Sequence, residues 1–169
     1  MKRMISFVSA LCLLLTICGC RQIQQPAKEP VNYYYRNGEV VYGDASGVIT
    51  CEQRESFGHT GDYEYLITEY FKGPVTENCV SPFPAGITVE KLELVNDSVR
   101  IIVSSHLASL TTAEQSVACV CLGKTLLELT GVKSVQIGIL NNQINGKDYI
   151  IINESSYLLV DPDINESGS

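Results

Sequence analysis

The side chains best able to do covalent or metal chemistry in this 169-residue chain are its histidines and cysteines. The two histidines, His59 and His106, lie in no recognisable catalytic or zinc-binding motif. There is no G-x-S-x-G elbow, no phosphate-binding glycine loop and no H-E-x-x-H sequence. A cysteine or serine could still meet a histidine in space to form a hydrolase site, but isolated loop histidines are usually solvated. The sequence therefore favours a protein that is not an enzyme and needs no metal ion or cofactor.

Four of the seven cysteines follow residue 20, namely Cys51, Cys79, Cys119 and Cys121. Four cysteines allow three pairings. Cys119 and Cys121 are two positions apart in a predicted helix, so their side chains point to opposite sides and cannot bridge or share one zinc ion. The possible disulfide therefore joins Cys51 to Cys79. The alternative is that each of them is an ordinary buried thiol.

The first twenty residues have the arrangement of a secretory signal. Lys2 and Arg3 precede an uncharged apolar run at 4–17, which is shorter than the roughly 20 residues of a membrane-spanning helix. The sequence ICGC at 17–20 then resembles a bacterial lipobox, which implies a diacylglycerol anchor on Cys20 after cleavage of residues 1–19. The alternative is an ordinary signal peptide with an accidental cysteine. Two acyl chains anchor a protein stably, so the expected location is the extracytoplasmic face of the cell membrane.

The rest of the chain divides into a polar linker at 20–31, one domain at 32–160 and a polar tail at 161–169. The full chain carries 19 acidic and 12 basic residues, a net charge of −7. The only charged residues that cleavage after residue 19 removes are Lys2 and Arg3, so the mature chain is more negative still. Such a surface is repelled by phosphate backbones, and this disfavours nucleic acid as a partner.

Along the domain, apolar residues recur in some segments with the two-residue period of a strand and in others with the 3.6-residue period of a helix. A hairpin is predicted around Asn37-Gly38, followed by a strand at 48–54. The apolar spacing at 63–71 then predicts a helix that begins after Asp62 and stops at Gly73-Pro74. A strand pair turns at Asn96-Asp97.

A second helix is predicted from Thr111, whose T-x-x-E capping box includes Glu114, to Gly131. It is apolar on most sides and should be the most buried element. Strands follow at 135–139, in DYIIIN and in YLLV. This order predicts an α+β fold, a two-layer sandwich with one mixed sheet and two helices packed on one face.

Three consecutive tyrosines supply the candidate contact surface. Tyr33, Tyr34 and Tyr35 cannot all face inward on a strand, so at least one of them should be exposed. Exposed aromatic side chains are enriched where proteins or glycans dock. The alternative is an edge strand that carries amphipathic side chains.

Several segments resemble the GerMN domain of sporulation and spore germination proteins: YLITEYFKGP at 65–74, FPAGITVEKLELVNDSVRIIVSS at 83–105 and GKTLLELTGVKSVQIGI at 123–139. The resemblance covers roughly 31–150 and implies a fold like the ring-building motifs of envelope machines, which act by packing against neighbours. Only one copy of the domain is present. The expected function is that of a lipid-anchored, non-enzymatic module that binds an envelope protein. A module that binds a small ligand or peptidoglycan is the alternative.

Overall fold

The computed structural model describes residues 29–39 and 47–155. They form seven strands, two α-helices and a short 3-10 helix. The strands are β1 (Pro30–Asn37), β2 (Ile49–Glu55), β3 (Cys79–Val80), β4 (Val89–Val95), β5 (Ser98–Val103), β6 (Ser134–Ile139) and β7 (Ile150–Asn153). The helices are α1 (Tyr63–Phe71), α2 (Thr112–Thr130) and the 3-10 helix Ser105–Ser109. The predicted α+β class is confirmed.

The strands divide between two sheets, where the sequence predicted one. The first sheet has the order β2-β1-β3 and the second has the order β4-β5-β6-β7. All pairs are antiparallel except β5 and β6, which are parallel. Helix α2 connects β5 to β6, as a parallel pair requires. The register of β4 against β5 shifts between Val89 and Lys91, which marks a β-bulge.

The predicted hairpin at Asn37-Gly38 is wrong. β1 pairs along its length with β2, from Pro30 opposite Glu55 to Arg36 opposite Ile49. The amide of Gly38 instead donates to the carbonyl oxygen of Asn78 at 2.9 Å, beside β3. A local turn signal was outweighed by pairing with strands farther along the chain.

Both helices begin and end where the sequence predicts. The Asp62 carboxylate accepts from the amide of Tyr65 at the start of α1. Thr111 and Glu114 form the predicted capping box of α2, and Gly131 ends α2 in the left-handed conformation with φ of 67°. These caps pair backbone groups that a helix leaves free at its ends.

Helix α2 holds the two sheets together. Nine of its 19 residues are buried. The Thr125 hydroxyl accepts from the Tyr34 amide of the first sheet at 3.0 Å. On the second sheet, Ile152 packs directly onto Gly123. One continuous core therefore runs from the tyrosines of β1 to the isoleucines and valines of β5 and β6.

Candidate functional site

Two of the three consecutive tyrosines, proposed from the sequence as a contact surface, lie in the core. Tyr33 and Tyr35 are 2% and 0% exposed. Their hydroxyls donate to the carbonyl oxygens of Leu66 at 3.1 Å and Tyr70 at 3.0 Å in α1. Burial raises the pKa of Tyr33 to about 12. Both side chains belong to the core, where they tie the first sheet to α1.

Tyr34 points the other way, as alternation along a strand requires. It is half-buried. Its hydroxyl donates to Glu128 of α2 at 2.6 Å, and the Lys124 ammonium lies 4.5 Å from its ring centroid. Both its hydroxyl and its ring therefore contact side chains of α2.

Cys51 and Cys79 are free thiols in this structure. The register places Cys51 opposite Tyr34 and Cys79 opposite Asn37 on β1. Those two β1 residues are three positions apart, so the thiols lie on opposite faces of the sheet. A disulfide needs Cβ atoms about 4 Å apart, and two side chains on opposite faces of the sheet do not approach so closely.

Cys119 and Cys121 are buried in α2. Burial raises the pKa of each thiol to about 12. A thiolate, which is the reactive form, is therefore strongly disfavoured at both positions. In the described ranges, no group of three histidine, cysteine or acidic side chains is arranged to hold a metal ion.

The two histidines occupy different settings. The His59 ring stacks on Tyr65 with centroids 3.7 Å apart, and its Nδ1 lies 3.7 Å from Asp62 Oδ2. His106 Nδ1 lies 3.1 Å from the hydroxyl of Ser104. Ser104 is buried, and its oxygen also accepts from the Thr88 amide at 3.1 Å. This serine closes the end of β5 rather than presenting a nucleophile to solvent.

The predicted lipid attachment residue, Cys20, lies outside the described residues, as do the tail 161–169 and the strand predicted in YLLV. Within the described ranges, neither helix combines the length and hydrophobicity that crossing a bilayer requires.

A buried ion pair that the sequence analysis missed fixes the loop after α1. The Glu52 carboxylate is 3% exposed and accepts from Arg54 Nε and from the amides of Val75 and Thr76 at 2.9 and 2.7 Å. Burial disfavours its charge, but these hydrogen bonds outweigh burial and lower the pKa of Glu52. The only signal in the sequence is the spacing of Glu52 and Arg54, which places both on one face of a strand.

Arg54 completes this cluster at the end of α1. Its guanidinium donates to the Tyr35 hydroxyl at 2.9 Å and to the carbonyl oxygen of Gly73 at 2.6 Å. It also donates to the Glu69 carbonyl at 3.4 Å. A cation at this position donates to carbonyl oxygens that the end of the helix leaves unpaired. It also interacts favourably with the helix dipole. The cluster is structural, because its donors and acceptors are used internally.

The best candidate for a functional surface is the outer face of the second sheet. Side chains of β5 and β6 alternate between the core and this face, which we call the open face. Its residues are Lys91, Glu93, Val95, Ser98, Arg100, Ile102, Ser134, Gln136, Gly138, Tyr149 and Ile151. Ile151, Val95 and Tyr149 are 56%, 49% and 39% exposed. Val95 lies on β4, at the far edge of the sheet from β7, so the exposed apolar surface is centred on Ile151 and Tyr149. An exposed apolar patch can mark an interaction site.

A stack of three residues stands at the centre of the open face. The Tyr149 ring lies over Gly138, where a Cβ atom would come within 2.9 Å of the ring. The Arg100 guanidinium lies over the same ring, 5.4 Å from its centroid. Arg100 Nε donates to Gln136 Oε1 at 3.2 Å. Glycine in a strand often marks such a close approach.

A shallow groove of about 420 Å³ adjoins this stack. Ile102, Gly138 and Tyr149 contribute apolar surface, and the loop after β6 contributes polar groups from Asn141 to Gln143 and from Asp148. Gln143 Nε2 donates to Asp148 Oδ1 at 3.1 Å. The groove and the stack form one continuous surface that combines aromatic, guanidinium and amide groups.

Two solved structures from Bacillus subtilis resemble this chain. The tandem GerMN domains of the sporulation protein GerM align with a TM-score of 0.50 and 17% identity, over 79% of this chain and 47% of that one. This chain thus spans about half the length of the tandem protein. The first GerMN domain of GerM aligns with a TM-score of 0.47 and 13% identity, over 73% and 95%.

A candidate lipoprotein from Clostridium perfringens aligns with a TM-score of 0.47 and 12% identity, over 76% of this chain and 89% of that one. No curated protein matches the sequence. The model of the Germane family, described as sporulation and spore germination, matches residues 33–148. That range includes both α-helices, strands β2 to β6 and β1 from Tyr33 onward, and only β7 lies wholly beyond it among the described elements. The chain therefore belongs to the Germane, or GerMN, family of sporulation and spore germination domains.

Proposed function

We propose that this protein is a non-enzymatic interaction module, anchored by a lipid on Cys20 at the extracytoplasmic face of the cell membrane, that binds an envelope protein through the open face. The observation that carries the proposal is the exposure of Ile151 and Tyr149 around a fixed arginine. Arginine and tyrosine are enriched among the residues that contribute most to protein interfaces. The membership in a sporulation and germination family supports a role in those processes.

The anchor has its own support in the sequence. A charged start, an apolar run and ICGC at 17–20 stand in the order of a lipoprotein signal. The nine residue-to-residue steps from Cys20 to Glu29 can span at most roughly 30 Å, at about 3.3 Å per residue. Cys20→Ala should release the protein from the membrane fraction.

The interaction is tested in living cells with a photo-crosslinking amino acid at Ile151 or, as a control, at Val75. Val75 is 80% exposed and lies in the loop after α1, where its amide donates to Glu52 of the first sheet. We expect one envelope protein, identified by mass spectrometry, to crosslink at 151 but not at 75. Crosslinking of the same proteins at both positions, or at neither, would contradict the proposed interface.

A second candidate is a module that binds peptidoglycan or a small ligand in the groove. The groove favours it because Tyr149 lies beside the side chains of Asn142, Gln143 and Asp148, and ligand sites combine apolar surface with a few polar groups. Sedimentation with purified cell walls separates the two candidates. Retention on walls that carry no protein, lost in Tyr149→Ala, would favour the second candidate.

A further inference from the structure

The open face carries one cation that has no acidic partner among the described residues. Lys91 Nζ pairs with Glu93 Oε1 at 2.9 Å. Arg100 lies directly opposite Glu93 in the register, yet no carboxylate in the described ranges forms an ion pair with it. Its polar contact there is with the neutral amide of Gln136.

The contacts of Arg100 fix its guanidinium in a position suited to binding. Nε is occupied by Gln136, and the plane lies over Tyr149. The two terminal nitrogens are the donors that these contacts leave for an external group. A carboxylate accepts two parallel hydrogen bonds from such a pair of nitrogens. Because the side chain is already ordered, binding costs less conformational entropy than for a free arginine.

Apolar side chains flank the guanidinium. Ile102 lies beside it on β5, and Ile151 lies opposite Gln136 on β7. A ligand that places a carboxylate on Arg100 would therefore lay its neighbouring groups on isoleucine and tyrosine. Free inorganic anions lack such groups.

We propose that the stack of Gly138, Tyr149 and Arg100 binds an aspartate or glutamate side chain of a partner protein, in a segment where apolar residues flank the acid. This rests on the proposed function, because it names the chemistry of the partner at the same face. Arg100 binds the carboxylate. Tyr149 and Gly138 position Arg100, and the isoleucines contact the flanking residues.

The test uses the full chain purified in detergent and labelled with ¹⁵N. Two capped peptides serve as probes, acetyl-Ser-Val-Glu-Val-Ser-amide and the same peptide with glutamine in place of glutamate. We expect the glutamate peptide to shift the NMR signals of Arg100 Nε and of the Ile102 and Gly138 amides. The glutamine peptide should bind at least threefold more weakly.

Three variants test which residues cause the difference in affinity between the two peptides, called here the discrimination. Arg100→Gln should abolish it, whereas Lys133→Gln, which removes a charge from the exposed pair with Asp97 and leaves Lys91 paired with Glu93, should leave it unchanged. Gly138→Ala keeps every charge but displaces the Tyr149 ring, so it should reduce the discrimination towards that of Arg100→Gln. Thermal unfolding of each variant identifies any that fails to fold. Equal binding of the two peptides, or discrimination that survives Arg100→Gln, overturns the proposal.

The outcome is separable from that of the proposed function. If crosslinking at Ile151 succeeds but the peptides are not discriminated, the open face is an interface and the carboxylate site is wrong. If discrimination depends on Arg100 but no envelope protein crosslinks, the carboxylate site stands and the proposed cellular role is wrong.

Discussion

Gly123, in the middle of α2, lies directly against Ile152 of β7, so that a Cβ atom at position 123 would stand 2.7 Å from Ile152 Cβ. Glycine inside a helix ordinarily costs about 1 kcal/mol relative to alanine. Here the helix accepts that cost because only a glycine lets the second sheet approach its backbone. The usual effect of a glycine-to-alanine substitution should therefore be reversed.

Gly123→Ala should lower the free energy of unfolding by about 1–3 kcal/mol, as overpacking of a buried site does. Urea unfolding followed by circular dichroism measures it. The matched control is the double variant with Ile152→Gly, which removes the Cβ atom that the added methyl group would meet. Its cost should be smaller than the sum of the two single costs, because the residues are in contact. A stabilised Gly123→Ala variant would show that the helix and β7 are farther apart.

Tyr35→Phe should destabilise the protein more than Tyr33→Phe. Each substitution removes a hydrogen bond to a carbonyl of α1, worth about 1 kcal/mol. Tyr35 also accepts from the Arg54 guanidinium, so its loss leaves a charged donor unpaired and should cost about 1.5–3 kcal/mol. Urea unfolding of the two variants compares them directly. Equal costs would mean that the bond from Arg54 to Tyr35 contributes nothing to stability.

Glu52 should make the stability depend on pH. Its pKa is lower in the folded protein than the ordinary value of 4.5. Its contribution is therefore complete above pH 4.5, and it is lost as the pH falls through the depressed pKa of the folded state. Glu52→Gln should cost about 1.5–3 kcal/mol near neutral pH, where a charged hydrogen-bond acceptor is lost, and less at pH 3. Unfolding temperatures between pH 7 and pH 3 measure this.

The control for Glu52 is Glu90→Gln, which changes the charge by the same amount at an exposed site. Its pH profile should follow that of the unsubstituted protein. If Glu52→Gln also followed that profile, the buried pair would not couple stability to protonation.

Thiol labelling should distinguish Cys51 from the two cysteines of α2. Cys51 is exposed, whereas Cys119 and Cys121 are buried. Burial raises the pKa of all three thiols, to about 12 for the two in α2, so exposure is what distinguishes Cys51. A maleimide should label Cys51 in the folded protein and reach the α2 thiols only after unfolding. Mass spectrometry of peptides measures the order, with Cys51→Ser as the control. Labelling that is absent at Cys51 until a reducing agent is added would reveal a disulfide.

Local signals in the sequence predicted local structure well. The capping box of Thr111 and Glu114 and the left-handed glycine at 131 lie where they were expected. Each depends only on residues within a few positions, so no knowledge of the tertiary fold was needed. The Asn96-Asp97 turn between β4 and β5 is correct for the same reason.

Features that depend on distant partners could not be predicted. The turn residues Asn37-Gly38 gave no sign that β1 would pair with strands on both sides. Alternation along the strand predicted that Tyr34 would face away from Tyr33 and Tyr35. It could not predict that the Tyr34 hydroxyl would donate to Glu128 of α2. Gly138 and Tyr149 are eleven positions apart, and only the pairing of β6 with β7 brings them together. The open face was therefore invisible in the sequence.

The bulge between Val89 and Lys91 has a consequence for molecules crowded together. β4 is the last strand of its sheet, and a regular strand in that position offers a template on which other chains polymerise. The interrupted register removes part of that template. This edge of the sheet is therefore a poorer template for fibre growth than a regular strand of the same length would be.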